Sequence, residues 1–297
     1  MSQTPTHIRA APIPPMIPIL KNEEIAPNIF EMVVEHPRLA KKAQPGHFVI
    51  IMASEESERI PLTVADFDRD KGTITMVIMA VGTSTRKIVK LKPGETLYAM
   101  IGPLGHASEL DRFGTVVMVA GGVGTAPVFP IARALHEMGN HVISIQGARN
   151  KELLFWQDKL ASVSDEHIVT TDDGSEGRKG LVTEPLKEIL EQKGPEVGCA
   201  VGCVYMIGPA VMMKFCAKTI EPFGVRGIAS LNSVMIDGTG MCGGCRVKIG
   251  DETKFTCVDG PEFDAGKIDW DVLLSRQKMY HAEEKCSLDR YVEENVK

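Results

Sequence analysis

One carboxylate and three thiols stand at metal-ligand spacing near the C-terminal end of the sequence. Asp237, Cys242, Cys245 and Cys257 follow the pattern D-x4-C-x2-C-x11-C. A C-x4-C-x2-C run with one distant cysteine is typical of loops that bind a 2Fe–2S cluster, and here aspartate takes the first position. The intervening glycines allow a tight loop whose backbone N–H groups point at the cluster sulfurs. The pattern therefore predicts a 2Fe–2S cluster and the transfer of single electrons.

The same residues leave two other interpretations open. A C-x2-C pair also occurs in zinc knuckles, and Cys242 with Cys245 could form a redox-active dithiol. A zinc ribbon usually has two such pairs and this sequence has one, whereas the glycine-containing gap and the single distant Cys257 favour the cluster. A carboxylate is a harder ligand than a thiolate and can also be protonated, so Asp237 could couple the redox state of the cluster to pH.

The composition is that of an ordinary globular protein. The 297 residues are 43% hydrophobic and 24% charged, with a net charge of −6, which allows two or three domains and gives no indication of nucleic-acid binding. No apolar run is long enough to predict a membrane span, and the N-terminus lacks the pattern of a signal peptide. The cysteines number seven, and three are predicted ligands, so we expect a cytoplasmic protein without a disulfide framework.

The other cysteines have simpler interpretations. Cys199 and Cys203 flank an apolar strand candidate, and Cys216 lies in a helix candidate. A buried cysteine behaves as a small hydrophobic residue, and we expect this of all three. Cys286 lies in a charged tail, too far along the chain from the predicted cluster loop to be assigned as a ligand.

Two of the three main regions of the chain have β-type or loop patterns. A proline-rich arm at residues 1–15 precedes the first region, residues 16–110, whose short runs between glycines and prolines predict a small antiparallel barrel. Its strand candidates are residues 29–35, 46–52, 73–79 and 95–100. The last region, residues 226–297, contains the predicted cluster loop. Its other features are a hairpin candidate at 247–249 and 254–257, and a polar tail expected to be a solvated helix or a frayed end.

Residues 111–225 alternate strand and helix patterns. Residues 115–120 form a nearly continuous apolar run, as a buried parallel strand does. The other strand candidates are residues 141–146, 167–171 and 204–207. The helix candidates are residues 127–138, residues 151–161 with Asn150 as the N-cap, a helix that begins at Thr183, and residues 210–220. This alternation predicts a parallel α/β sheet.

A glycine-rich turn lies between the first of these strands and the first helix. Its candidate site residues are Gly121, Gly122, Gly124, Thr125 and Pro127. In this position a glycine turn can hold a pyrophosphate against the N–H groups of the following helix. The pattern is G-x-G-x-x-P and not the standard dinucleotide-binding G-x-G-x-x-G, and a plain tight turn is the alternative.

Two further loops follow predicted strands, where ligands bind in open α/β sheets. The first contains Asp172, Asp173 and Gly174. Its carboxylates could accept hydrogen bonds from ribose hydroxyls and would repel a 2′-phosphate, which favours NAD(H) over NADP(H). A turn stabilised by aspartate side chains is the alternative. The second loop contains Gly208 and Pro209.

The barrel region contains a second candidate phosphate site. Its residues are Arg59, Pro61, Leu62 and Thr63 at the start of a strand, and Gly82, Thr83, Ser84 and Thr85 at the start of a helix. Arg59 and the helix start could share a pyrophosphate. The alternative for Arg59 is a solvated charge at the edge of a sheet.

The order of these motifs resembles the ferredoxin–NADP reductase superfamily, in which a flavin-binding antiparallel barrel is joined to a pyridine-nucleotide α/β domain. The G-G-x-G-x-x-P motif of the superfamily matches residues 121–127. Its R-x-Y-[ST] flavin motif is matched only in part, because residues 59–63 read RIPLT without a tyrosine. Its C-G-P motif appears as IGP at residues 207–209, so a catalytic role for the cysteine does not carry over.

The cluster pattern is similar to that of two subgroups. One is the electron-transfer subunit of dihydroorotate dehydrogenase, which holds FAD and a 2Fe–2S cluster with four cysteines. The other is the small subunit of electron-bifurcating NADH-dependent reduced-ferredoxin:NADP+ oxidoreductase, also known as sulfide dehydrogenase, where one aspartate and three cysteines hold the cluster. Asp237 favours the second subgroup.

The resemblance implies a fold of β-barrel plus α/β class with three domains. They are an FAD-binding barrel at residues 16–110, an NAD-binding domain at 111–225 and a 2Fe–2S domain at 226–297. The implied function is transfer of electrons between NAD(H), FAD and the cluster. The implied partner is a larger flavin and 4Fe–4S subunit that uses NADP(H) and ferredoxin. The cofactors carry the chemistry, and no residue is predicted to be catalytic.

Overall fold

The computed structural model describes residues 16–192 and 200–295. The N-terminal arm and Cys199 lie outside these ranges, as do the last two residues of the tail. Within the described ranges, no helix is both long and apolar enough to cross a membrane. Cys203 and Cys216 are fully buried, as expected of small hydrophobic residues.

The first part of the chain forms two antiparallel sheets. Its strands are β1 (Ile17–Ala26), β2 (Ile29–Glu35), β3 (Phe48–Met52), β4 (Ile60–Thr63), β5 (Asp66–Asp68), β6 (Thr73–Met79), β7 (Thr96–Leu97) and β8 (Ala99–Leu104). Two short helices accompany them, α1 (Pro37–Lys42) and α2 (Thr83–Ile88). The sheets have the orders β5-β6-β2-β1-β7 and β4-β3-β8, and their inward-facing aliphatic side chains pack into one core. We call this part the two-sheet region.

The predicted strands at residues 29–35 and 73–79 are confirmed as β2 and β6, which pair along their whole length. The prediction of one strand at residues 95–100 is wrong, because the chain there passes from one sheet to the other. β7 pairs with β1, whereas β8 pairs with β3. Tyr98 stands at this corner and donates its N–H to the carbonyl of Met52.

The middle of the chain forms a seven-stranded sheet of order β12-β11-β10-β9-β13-β14-β17. Its strands are β9 (Thr115–Gly121), β10 (His141–Ala148), β11 (Glu166–Thr171), β12 (Arg178–Lys179), β13 (Val201–Ile207), β14 (Arg226–Ser230) and β17 (Glu262–Asp264). The helices between them are α3 (Thr125–Glu137), α4 (Gln157–Ala161), α5 (Thr183–Gln192) and α6 (Ala210–Ile220). All neighbours are parallel except β17, which is antiparallel to β14. The predicted parallel α/β sheet is thus confirmed, and helices cover both faces.

The predicted continuous helix at residues 151–161 is wrong. Asn150 does cap a turn, since its Oδ1 accepts the N–H of Leu153 at 3.3 Å, but only a 3-10 turn, Lys151–Leu153, forms there. The chain then extends to Trp156, whose φ of 55° is left-handed, and α4 begins one residue later. This break directs the Trp156 side chain out of the α/β region towards β2.

The C-terminal part contains a hairpin and three helices. They are β15 (Arg246–Ile249), β16 (Glu252–Phe255), α7 (Thr256–Asp259), α8 (Trp270–Gln277) and α9 (His281–Asn295). The hairpin is confirmed, but its second strand ends at Phe255, and Cys257 lies in α7 instead. The polar tail is the exposed helix α9, which returns to the two-sheet region. There Ser287 Oγ lies 3.1 Å from Thr83 Oγ1 in α2.

A buried carboxylate joins the two-sheet region to the α/β region. Glu31 in β2 accepts hydrogen bonds from Lys21 Nζ at 2.8 Å and from Trp156 Nε1 at 2.7 Å, and Lys159 Nζ lies 3.6 Å away. Only 7% of Glu31 is exposed. Burial acts to raise the pKa of Glu31, but the hydrogen bond from Lys21, the charge of Lys159 and the bond from Trp156 together lower it. The carboxylate is therefore ionised and fixes the two regions against each other.

Replacing Glu31 with Gln removes the charge that holds both lysines. We expect the free energy of unfolding at pH 7 to fall by roughly 1–2 kcal/mol, measured by urea denaturation. Because the folded-state pKa of Glu31 is lowered, its contribution is present above the ordinary carboxyl pKa and is lost as the pH falls through the folded value. The difference between wild type and variant should therefore shrink in acid. Glu23→Gln removes an exposed partner of the same Lys21 and should cost about 0.5 kcal/mol or less; equal losses would contradict the interpretation.

Candidate functional site

A cavity of about 860 Å³ opens between the two-sheet region and the carboxyl ends of the parallel strands. Its walls are mostly apolar, with a few polar side chains and exposed backbone groups from the glycine turns. Of the predicted site residues, ten line it: Pro61, Leu62, Thr63, Gly121, Gly122, Gly124, Pro127, Asp172, Gly208 and Pro209. A cavity of this size and character suits an aromatic cofactor or a nucleotide.

The glycine turn after β9 is compact because its neighbours leave no room for side chains. A Cβ on Gly124 would lie 2.1 Å from the carbonyl oxygen of Ile207 at the end of β13. Gly122 has a φ of +54°, which disfavours other residues. Thr125 is buried beneath the turn and does not line the cavity; its Oγ1 accepts a hydrogen bond from Gln146 Nε2 at 3.3 Å.

Gly208 and Pro209 adjoin this turn because β13 and β9 are neighbouring strands. A Cβ on Gly208 would lie 3.1 Å from the Cα of Gly121. The structure therefore brings both predicted loops to one point at the carboxyl edge of the sheet, where backbone N–H groups can face a phosphate.

The two aspartates after β11 have different surroundings. Asp172 lines the cavity. Asp173 faces its own turn, where its Oδ1 accepts the N–H of Ser175 at 2.9 Å and the hydroxyl of Ser175 at 2.6 Å. These hydrogen bonds lower the pKa of Asp173. Gly174, with a φ of +79°, completes the turn. Asp173 therefore stabilises a turn, which was the alternative to nucleotide binding for this loop. Asp172 is the acidic residue that faces the cavity.

The predicted phosphate site of the two-sheet region is only partly in the cavity wall, because Pro61, Leu62 and Thr63 line the cavity whereas Arg59 and the start of α2 do not. Arg59 is exposed. At the start of α2, Ser84 Oγ donates to Glu58, and Thr85 Oγ1 accepts the N–H of Gly82 at 3.0 Å. Thr83 Oγ1 lies 3.1 Å from Ser287 Oγ of α9. Arg59 and the α2 hydroxyls are thus not brought into one wall with Pro61, Leu62 and Thr63.

Sequence reasoning missed the segment that leads from β14 to the predicted cluster loop. Ser230, Leu231, Asn232, Ser233 and Met235 all line the cavity. The signal for this segment is a further strand at residues 226–230 whose carboxyl end meets those of the other strands, whereas the sequence analysis assigns these residues to the region of the cluster loop. Sequence reasoning also missed an apolar rim of Leu181, Val211 and Phe215, which are all more than half exposed.

Asp237 organises the predicted cluster loop, residues 237–245. Its Oδ2 accepts the N–H of Met241 at 3.0 Å and the N–H of Cys242 at 3.2 Å, as well as the hydroxyl of Thr239 at 3.0 Å. Its Oδ1 lies 3.2 Å from Cys242 Sγ. Desolvation acts to raise the pKa of Asp237, but the hydrogen bonds from Cys242 and Thr239 outweigh it and lower the pKa to about 2. An ionised carboxylate therefore stands beside the first thiol.

Cys245 and Cys257 form a second, buried pair. Each is 1% exposed, and their Sγ atoms are 3.1 Å apart. Thr256 fixes the backbone beneath them, since its N–H and hydroxyl both donate to the carbonyl of Cys245. Burial and the neighbouring thiol raise the pKa of Cys257. Two adjacent buried thiols ionise together only where a cation stabilises both thiolates, as a metal centre would.

The four predicted ligands therefore form two pairs, Asp237 with Cys242 and Cys245 with Cys257. Among residues 16–192 and 200–295, no three histidine, cysteine, aspartate or glutamate side chains form a group that could hold a single metal ion. A mononuclear zinc site needs four ligands around one point, whereas a 2Fe–2S cluster takes two ligands on each of two irons. The donor set and its pairing fit the cluster.

The cavity and the predicted cluster ligands share a wall. Phe48 and Met235 line the cavity, and both also pack in the apolar cluster that contains Cys245 and Cys257. The loop sits closely on this wall, because a Cβ on Gly238 would lie 2.9 Å from Ile50 Cγ1 and 3.0 Å from Leu104 Cδ1. A redox group in the cavity would be separated from the ligand cysteines by this wall of Phe48 and Met235.

Two family models match the sequence. Residues 232–269 match the iron-sulfur cluster binding domain of dihydroorotate dehydrogenase B, a range that contains all four predicted ligands. Residues 118–218 match the oxidoreductase NAD-binding domain, which contains the glycine turn and the loops after β11 and β13.

Whole-chain relatives agree with these matches. A Thermotoga maritima protein described as a dihydroorotate dehydrogenase B (NAD(+)) electron transfer subunit homolog is 43% identical over 92% of this chain and 95% of its own. The electron transfer subunit of dihydroorotate dehydrogenase B from Desulforamulus reducens is 31% identical over 83% of this chain and 95% of its own.

Solved structures extend the comparison. A chain from the structure of the NADH-dependent reduced ferredoxin-NADP oxidoreductase, studied for flavin-based electron bifurcation, is 42% identical with a TM-score of 0.87. It covers 93% of this chain and 98% of its own. Phthalate dioxygenase reductase is 17% identical with a TM-score of 0.58, over 78% of this chain and 85% of its own, which shows a shared fold.

Changing Asp237 tests the ligand assignment. Asp237→Cys restores four thiolates, so the cluster should assemble with a changed reduction potential and EPR spectrum. Asp237→Ala should retain clearly less iron, because one iron loses a ligand. Thr239→Val is the control, since it removes a hydrogen bond to Asp237 without removing a ligand. If both Asp237 variants match the wild type in iron content, EPR spectrum and potential, Asp237 is not a ligand.

Proposed function

The chain belongs to the family of dihydroorotate dehydrogenase B electron-transfer subunits and their homologues, and we propose that it is the electron-transfer subunit of an NADH-dependent reduced ferredoxin–NADP+ oxidoreductase. In this role it passes electrons between NAD(H), FAD and a 2Fe–2S cluster, and from there to or from a partner subunit. The likeness to the bifurcating oxidoreductase, at 42% identity over 93% of the chain, supports this assignment within the family.

One observation carries the proposal. The cavity between the two regions and the predicted cluster ligands are separated by a shared wall of Phe48 and Met235. A site for a two-electron redox group and a site for a one-electron centre are thus adjacent within one chain. This arrangement suits conversion between hydride transfer and single-electron transfer. A protein that only binds a nucleotide would not require two adjacent redox sites.

FAD and NAD(H) would occupy different parts of the cleft. We assign the flavin ring to the two-sheet wall of the cavity, at Pro61, Leu62 and Thr63. Its pyrophosphate would then extend beyond the cavity towards Arg59 and the start of α2, at Gly82, Thr83, Ser84 and Thr85. We assign NAD(H) to the carboxyl edge of the parallel sheet, with the turn at residues 121–127, Asp172 and the Gly208–Pro209 loop. When bound, the flavin exchanges a hydride with NAD(H) and single electrons with the cluster. The residues of this chain position the cofactors and exclude water through the apolar cavity walls.

The partner is a separate subunit, because the relatives are electron-transfer subunits of larger enzymes. We propose that it is a larger flavin and 4Fe–4S protein that uses NADP(H) and ferredoxin. The cytoplasm is the expected location, because cysteine ligands remain reduced there. The alternative is a dihydroorotate dehydrogenase as partner, supported by the family model that matches the cluster segment. Purifying the native complex and identifying the partner subunit would distinguish a ferredoxin-using partner from a dihydroorotate dehydrogenase.

Cofactor content is the first test of the proposal. The anaerobically purified chain should contain about two iron atoms and one FAD, as one cluster and one flavin site require. Its visible spectrum should show flavin and cluster absorption that NADH bleaches. Stoichiometric zinc without iron, and a colourless protein, would instead indicate a regulatory module on the same fold.

Nucleotide choice is the second test. Asp172 at the cavity wall should favour NADH over NADPH, because its carboxylate can accept ribose hydroxyls and repels a 2′-phosphate. Asp172→Asn should weaken NADH binding about tenfold, because a hydrogen bond to a charged acceptor is replaced by one to a neutral acceptor. The preference for NADH over NADPH should become smaller as well. Asp173→Asn is the matched control, because Asp173 is occupied within its own turn. Titration of each variant with NADH and with NADPH measures the two affinities. Equal affinities of the wild type for the two nucleotides would contradict the assignment of Asp172 to the ribose.

A further inference from the structure

The last turn of α8 carries a cation that reaches the predicted cluster loop. Arg276 Nη2 donates a hydrogen bond to the carbonyl oxygen of Gly244, with an N···O distance of 2.9 Å. Gly244 lies between the ligands Cys242 and Cys245. The guanidinium is half-buried and forms no ion pair with a carboxylate in the described part of the chain. Its positive charge is therefore held against the ligand loop without a counter-ion among residues 16–192 and 200–295.

The charge of the cluster site makes this position important. One carboxylate and three thiolates bring four negative charges, so the centre is anionic, and it becomes more negative when it accepts an electron. A nearby cation stabilises the more negative state. Arg246 also lies near the loop, with its Nη1 3.8 Å from where a Cβ on Gly243 would stand, but it is exposed, and its charge is screened by solvent and salt. Arg276 is the better placed of the two to act on the cluster.

We propose that Arg276 is a positioning residue that raises the reduction potential of the 2Fe–2S cluster and orients its ligand loop. This inference rests on the proposed function and deepens it. With the cofactors bound, the step concerned would be the transfer of one electron from reduced flavin to one ferric ion of the cluster, which would become ferrous without a bond being made or broken. Arg276 thereby favours the flow of electrons from flavin to cluster.

Two residues next to Arg276 provide control variants that distinguish an effect of its charge from an effect of helix packing. Gln277 Nε2 donates to Asn232 Oδ1 at 2.8 Å and to the Asn232 carbonyl at 3.2 Å, so it holds the cavity wall without a charge. Lys278 is exposed and carries the same charge two residues further along the chain. Gln277→Ala thus tests loosening of the helix, and Lys278→Gln tests removal of a charge that does not contact the loop.

The experiment is a redox titration of the cluster by EPR in the purified full-length chain. Variants are compared only at equal iron and acid-labile sulfide content. In Arg276→Gln the ratio of reduced to oxidised cluster at a fixed potential should fall roughly tenfold, which for one electron corresponds to about 59 mV. Arg276→Lys should recover part of this shift. Gln277→Ala and Lys278→Gln should both titrate close to the wild type.

The outcomes separate this inference from the proposed function. An unchanged potential in Arg276→Gln, or an equal shift in Lys278→Gln, would overturn the role of Arg276 while the cluster and flavin remain in place. A shift in Gln277→Ala as large as in Arg276→Gln would also overturn it, because packing alone would then account for the effect. A wild-type chain without any 2Fe–2S spectrum would instead remove the proposed function itself.

Discussion

The close seating of the cluster loop on strands β3 and β8 is the contact on which the proposed function depends. The loop lacks regular secondary structure, so its position is fixed by contacts with neighbouring strands. Gly238 lies directly against Ile50 and Leu104, where a side chain would not fit. Cys245 and Cys257 complete the same apolar surface. Because Phe48 belongs both to this surface and to the cavity wall, the seating of the loop also sets how near a redox group in the cavity can lie to the cysteines.

A second constraint fixes the cavity itself. Its two walls come from different regions of the chain, and their relative position depends on Glu31 and its partners and on apolar contacts of Ile29 and Val77 with Ala126 and Phe155. Buried charged groups are stable only when paired, and Glu31 is paired from both sides. A cleft of fixed width suits a site where a nicotinamide and a flavin must meet in one geometry.

The C-terminal segment connects these parts from the outside. Arg276 and Gln277 of α8 contact the cluster loop and the cavity wall. Helix α9 then returns to α2, where the ring of Tyr291 lies 5.9 Å from Lys87 Nζ. The polar tail is thus more than a solvated end, since it links the cluster region to the helix that we assign to the flavin pyrophosphate. Most of the surface of α9 remains exposed, so these contacts are local and polar.

The sequence by itself determined the local elements and the chemical type of each site. Local residue patterns predicted β2, β6, α5 and α6, because short apolar runs and the strand–helix alternation depend on nearby residues, and the spacing of Asp237 and the cysteines predicted a metal centre. Tertiary structure decided which residues meet. It broke the helix at Trp156 to reach Glu31, turned Asp172 towards the cavity and Asp173 into a turn, and brought Met235 and Arg276 to the cluster. These outcomes depend on contacts between residues far apart in the chain, for which no local pattern exists.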